Sequence, residues 1–244
     1  MFQKIGFIGL GLIGGSIAKK IHTLYPDVTI IATAGHKETI TEAYEQHLIS
    51  NQTLCEIGDF YDCDYIFLCT PVRRNIDYLR QLKGKIKPGC IITDVGSVKT
   101  DIHEEVIKLD MEDCFIGGHP MAGSEKTGLN NANEYLLENA YYILTPTAKT
   151  DTVRLEGLRS LVTQLGAIAL VLGYHLHDYA TAAISHLPHI IAYSLVNLVK
   201  KSDDENETMK TIAAGGFKDL TRIASSSPVM WQNICQSNSG QIVR

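Results

Sequence analysis

No two of the six cysteines stand in a C-x-x-C pair. Cys55, Cys63, Cys69, Cys90, Cys114 and Cys235 are scattered, several in or beside apolar runs. That spacing argues against structural zinc and predicts buried, reduced thiols in a cytoplasmic protein. Positive charge is also short: 22 Lys and Arg against 27 Asp and Glu give a net charge of -5. A surface that coats nucleic-acid phosphates is therefore not expected. The N-terminus, MFQKIGFIGLG, lacks a basic leader and a small-residue cleavage site, so no signal peptide is expected. Internal repeats and low-complexity tracts are missing too. Finally, residues 179–199 contain no Asp, Glu, Lys or Arg. A membrane-spanning helix needs about 20 predominantly apolar residues. This stretch holds His186, Pro188, His189, Ser194 and Asn197, so a buried helix at a subunit interface is expected instead of a membrane span.

What is present is an alternation. KIGFIGL is a short apolar run, and a helix follows from Gly14 to Leu24. VTIIA, YIFLCTP, GCIITDVGS, CFIGGHP, YYILTP and AIALVLG read as further strands, with ETITEAYEQHL and VRRNIDYLRQLKGKI as helices. Such an order implies an α/β domain with a Rossmann-type, mostly parallel sheet and helices on both faces. Leu158, Leu161, Val162 and Leu165 share one helical face, and Gly166 suits the C-terminal cap. After Gly173 the period becomes helical: Ile184, Leu187, Ile191, Leu195 and Leu198. Pro188 should kink that helix or sit at a break in it. Ser227 and Pro228 read as the N-cap and first position of another helix. The expected division is a dinucleotide-binding domain over residues 1–173 and an all-helical domain over 174–244.

IGLGLIGGS places Gly9, Gly11 and Gly14 in G-x-G-x-x-G spacing between a strand and a helix. Gly9 permits the turn, Gly11 lets a pyrophosphate approach, and Gly14 allows close helix packing. With Leu12 and Ile13 between them, these residues form the expected cradle for NAD or NADP, the helix start favouring the anion. Thr70 and Pro71, where the third strand stops, are expected beside it. An acid should close the second strand and bind the adenosine ribose. Here that end reads IIATAGHKE. Thr33, His36 and Lys37 stand there instead, suited either to a 2′-phosphate or to plain solvation, which tilts the expectation towards NADP.

Ligands of open α/β sheets bind beyond the carboxyl ends of the strands. Two polar segments follow strands at that end. TDVGSVK offers Asp94, Ser97 and Lys99, and GGHPMAGSE offers His119, Ser124 and Glu125. Histidine titrates near neutral pH and suits proton transfer from a hydroxyl whose carbon loses hydride. His119, on a glycine-bounded loop beside Pro120, is the best-placed candidate.

GLGLIGGS, TDVGSVK, GGHPMAGSEKTG, ISHLPHIIA and GGFKDLTRIASSSPVMW together resemble the prephenate/arogenate dehydrogenases of tyrosine biosynthesis. The likeness covers nearly the whole chain in order. It implies a Rossmann-type domain, a helical domain that forms a homodimer, and a small-molecule substrate. The implied reaction is oxidative decarboxylation of prephenate to 4-hydroxyphenylpyruvate, or of arogenate to tyrosine. On the matching positions it implies His119 as the catalytic histidine and Ser97 as the serine supporting it. Arg222 would bind a substrate carboxylate, a task suited to a guanidinium. His186 would lie near substrate and nicotinamide, and Glu125 near the pocket entrance. Plain alternatives stand beside each: a turn serine, a surface pair of Arg222 with Asp219, a satisfied core histidine, a surface carboxylate. The resemblance also implies helices beyond WQNICQSNSGQIVR, so the sequence is expected to be a piece of a longer protein. Two rival readings are a β-hydroxyacid-type dehydrogenase, which would need a lysine in the buried helix, and a silent dinucleotide sensor, which would need decayed loops.

Overall fold

The computed structural model describes residues 2–124 and 126–244. The chain forms two compact units, Met1–His177 and Asp178–Arg244.

The first unit begins with β1 (Lys4–Ile8), α1 (Leu12–Leu24), β2 (Thr29–Thr33) and α2 (Lys37–Glu45). β3 (Tyr65–Leu68), α3 (Val72–Leu82), β4 (Ile91–Asp94) and α4 (Thr100–Lys108) follow. These four strands make a parallel sheet in the order β2-β1-β3-β4. Their near-continuous apolar sequence is explained by burial on both faces. Ile5, Phe7, Tyr65, Phe67 and Ile91 pack into one core with α1 and α2 residues. Ile8, Ile66, Leu68 and Ile92 alternate into a second core with Leu79, Leu82, Ile102 and Val106. Phe7 and Phe67 are register partners, and their rings stack with centroids 5.1 Å apart.

The rest of this unit departs from a simple parallel order. β5 (Ile116–Pro120) joins β4 through a parallel bridge between Ile92 and Phe115. It pairs antiparallel with β6 (Tyr141–Pro146), which pairs parallel with β7 (Ile168–Val171). β5, β6 and β7 thus form a separate three-stranded sheet, and the pairing through the unit is mostly parallel, with one antiparallel step. Between β6 and β7 lies α5 (Thr152–Gln164), whose Leu158, Leu161 and Val162 are buried. Asp151 caps it by accepting from the amides of Val153 and Arg154, and Gly166 ends the segment at φ +92°.

The stretch Tyr174–Ser202 is one helical run: α6 (Tyr174–Thr181), a π-helical turn (Ala182–His186) and α7 (Leu187–Ser202). The π turn sits immediately before Pro188, which supplies no N–H and whose ring needs room in the preceding turn. The helix absorbs the proline there without breaking. The second unit continues with α8 (Thr208–Ile212), α9 (Gly215–Thr221), α10 (Pro228–Ser237) and α11 (Ser239–Ile242). Ser227 caps α10 by accepting from the Met230 amide.

The expectation of a buried helix over residues 179–199 is not met within the chain. Ile184, Leu187, Ile191 and Leu198 are exposed, and the most apolar window of the run is 17% buried. By length and composition alone this run is sufficient to cross a membrane. An apolar stripe demands a cover, but its period does not say what supplies the cover.

Candidate active site

The cradle is built from the glycines upward. Gly9 adopts φ +103°, and a β-carbon there would lie 2.7 Å from the Cys69 carbonyl oxygen. One at Gly14 would lie 2.4 Å from the Gly9 carbonyl oxygen. These two positions are closed by backbone. Gly11 differs, because nothing stands within 4 Å of where its β-carbon would be. It is the N-cap of α1, and no side chain caps the helix start that carries Leu12 and Ile13. Unfilled space against uncapped helical amides fits a dinucleotide pyrophosphate. Thr70 borders the cradle after β3. Its amide and hydroxyl both donate to Asn75 Oδ1, at 3.2 and 2.5 Å, and Asn75 Nδ2 donates back to the Leu68 carbonyl at 3.2 Å. The buried Asn75 thus holds the loop, and Pro71 opens α3. At the end of β2, Thr33 is half-buried while His36 and Lys37 are exposed.

In the segment TDVGSVK two of the polar side chains face inward. Asp94 and Lys99 are fully buried and ion-paired, turned into the protein instead of towards a ligand. Asp94 accepts from the Gly96 amide at 2.9 Å and from the Gly118 amide at 3.1 Å. Lys99 Nζ donates to the Gly118 carbonyl at 2.7 Å. The pair therefore clamps both backbone groups of the residue before His119. A buried charge pair is tolerable when further hydrogen bonds complete each partner, as they do here.

His119 lies on β5 itself, opposite Ile143, and not on a loop. The glycines before it serve packing. A β-carbon at Gly117 would meet Thr145 Oγ1 at 2.2 Å, and one at Gly118 the Asp94 carbonyl at 2.5 Å. His119 is 8% exposed, and its Nδ1 lies 2.8 Å from Nε2 of the fully buried His177. Ser97 sits half-buried on the bend after β4; among the described residues no hydrogen bond joins it to His119. His177, which the sequence reading did not single out, is thus the hydrogen-bond partner of His119 Nδ1. Pattern reading passes over it because YHLHDYA resembles an ordinary helix, and only tertiary pairing reveals it.

In the second unit His186 is buried at the end of the π turn. Its Nδ1 is 3.0 Å from Asn238 Nδ2, which also donates to the Asp178 carbonyl at 2.8 Å. That carbonyl can only accept, so the amide nitrogen must face it, and His186 Nδ1 receives the second amide hydrogen. His189 stacks on Trp231 with centroids 3.6 Å apart and shares a 2.9 Å hydrogen bond with the Ser185 carbonyl. Burial lowers its pKa below the usual histidine value. It is a satisfied packing histidine. Arg222 is exposed on a 3-10 turn, Arg222–Ser225, and among the described residues no ion pair with Asp219 holds it. Glu125 lies outside the described residues.

Two family models match in sequence. Residues 17–171 match prephenate dehydrogenase, nucleotide-binding domain, and residues 175–244 match prephenate dehydrogenase, dimerization domain. This chain belongs to the prephenate dehydrogenase family. A prephenate dehydrogenase of Bacillus subtilis (strain 168) is 40% identical over 247 residues, covering 100% of this chain and 66% of that protein. The chain thus spans just under two thirds of that relative's length. Among solved structures, prephenate dehydrogenase from A. aeolicus in complex with hydroxyphenyl propionate and NAD+ superposes with a TM-score of 0.92 at 32% identity. That match covers 100% of this chain and 85% of the other. Synechocystis arogenate dehydrogenase has a TM-score of 0.84 at 33% identity, over 99% and 86% of the two chains.

Proposed function

We propose that the chain catalyses NAD(P)-dependent oxidative decarboxylation of prephenate to 4-hydroxyphenylpyruvate in tyrosine biosynthesis. The observation that carries this reading is His119. It is a nearly buried imidazole whose preceding residue is clamped at the carboxyl end of β4 and whose Nδ1 is engaged by His177. Nε2 is the ring atom we assign to take the hydroxyl proton while the same ring carbon loses hydride. When bound, the nicotinamide supplies the hydride acceptor. Loss of the ring carboxylate as CO2 then aromatises the ring, so the protein has chiefly to orient the reactants and handle one proton.

The remaining roles follow the chemistry of each side chain. Gly9, Gly11, Leu12, Ile13, Gly14, Thr70 and Pro71 hold the dinucleotide. Arg222 offers a guanidinium without an ion-pair partner among the described residues to a substrate carboxylate. Ser97 and His186 contribute polar contacts to the substrate, and Glu125 keeps the entrance role implied by resemblance. The missing acid after β2, with exposed His36 and Lys37 beside Thr33, favours NADP over NAD. Lys37→Ala should weaken NADP more than NAD; an equal effect on both contradicts that preference. The exposed stripe Ile184, Leu187, Ile191 and Leu198 is read as the surface for a second copy of the chain, in a cytoplasmic homodimer. The matched dimerization domain supports this.

The deciding experiment is formation of reduced cofactor by the purified chain with prephenate or arogenate, each with NAD and NADP. Turnover of prephenate supports the reading. Turnover of arogenate alone moves the assignment to tyrosine formation, and no turnover with any combination contradicts it.

A further inference from the structure

His177 lies on α6, where its own amide donates to the Gly173 carbonyl at 2.9 Å. Its ring meets that of His119 edge to face, centroids 5.0 Å apart and planes 69° apart. Between the facing nitrogens, 2.8 Å apart, there is room for one proton. Two N–H groups would collide there, and two lone pairs would repel. The pair therefore has two neutral arrangements. If His177 donates, the His119 proton sits on Nε2 and that atom cannot serve as a base. If His119 donates from Nδ1, its Nε2 carries the lone pair that proton abstraction requires.

We propose that His177 is a positioning residue that holds His119 in the second arrangement and supports the imidazolium formed once Nε2 takes a proton. The inference rests on the reading of His119 as the base. In the resting pair, His119 Nδ1–H donates to the bare Nε2 of His177, whose own proton is on Nδ1. When His119 becomes charged, the same hydrogen bond becomes charge-assisted and strengthens. His177 then does with a neutral acceptor what a carboxylate does in other histidine-based sites. Complete burial of His177 removes competing water from the shared proton.

The test uses the full chain with its dinucleotide. Nitrogen-15 NMR of the imidazoles should find His119 protonated on Nδ1 and bare on Nε2. His177→Leu should lower kcat on the order of 100-fold, the lower end of what a general base contributes, with the dinucleotide KM unchanged. His177→Gln, which returns an acceptor oxygen, should recover most of that loss. A resting proton on His119 Nε2 overturns the proposal. So does a His177→Leu variant with kcat within about twofold of the parent, or a Gln variant as impaired as Leu. If the Leu variant does not fold, the NMR assignment and the Gln variant decide. An inactive His119→Asn with a normal His177→Leu removes only the role of His177. An active His119→Asn removes the base reading and this proposal with it.

Discussion

Lys99 and Asp94 form a buried ion pair in which each partner also ties one backbone group of Gly118, the residue before His119. Removing one member of such a pair leaves the other charged and uncompensated. Lys99→Met should therefore destabilise the fold by about 3–5 kcal/mol. Pairing it with Asp94→Asn should cost less than the sum of the single losses. Denaturant midpoints measure all three variants. Additive losses would mean that the two side chains do not act as a unit.

The three glycines of the cradle should separate under substitution. Gly14→Ala forces a β-carbon against backbone and should lower the melting temperature. Gly11→Ala meets open space, so it should fold normally while weakening the dinucleotide, because the methyl enters the room a pyrophosphate needs. Thermal melting with and without NAD or NADP reads both effects. Unchanged affinity in the Gly11 variant would place the pyrophosphate elsewhere.

Burial pushes the thiols of Cys63 and Cys90 up to about 12 from an ordinary 9.0. Below pH 9 both folded and unfolded chains keep them protonated, and they add no pH dependence. As pH rises from about 9 towards 12 the unfolded chain ionises first, so stability falls. Cys63→Ala should flatten that alkaline decline while lowering stability at neutral pH through the cavity it leaves. A parallel alkaline slope in parent and variant would contradict the burial effect. At neutral pH both thiols should also resist alkylation until the protein unfolds.

The exposed apolar stripe of α7 should be covered in the assembled protein. Ile191→Asp should shift the chain towards monomer in sedimentation without loss of helix. A parent that is monomeric at all concentrations would contradict the reading of that stripe as a dimer surface.

Local requirements were legible in the sequence, and tertiary partnerships were not. The turn at Gly9, the caps Asp151 and Ser227 and the face of α5 follow from backbone and period, which a few neighbouring residues determine. His119 stood out by residue type, but its setting did not. Gly117 and Gly118 read as loop glycines, yet they admit Thr145, His103 and Asp94 against a buried strand. Asp94 and Lys99 read as ligand-facing because they follow a strand, whereas each finds its opposite charge five positions away and turns inward. His177 carries no spacing signal at all. The apolar run after Gly173 signalled burial without telling whether the cover lies within the chain. The antiparallel β5–β6 step was equally hidden, since strand direction depends on what the intervening loop reaches.

The most direct measurement is turnover of prephenate, followed as reduced cofactor, by the parent chain and by His119→Asn at saturating substrate. The account predicts a loss of kcat on the order of 100-fold or more, with substrate binding largely retained. An Asn variant that binds and turns over prephenate like the parent would contradict the assignment of His119 as the proton acceptor.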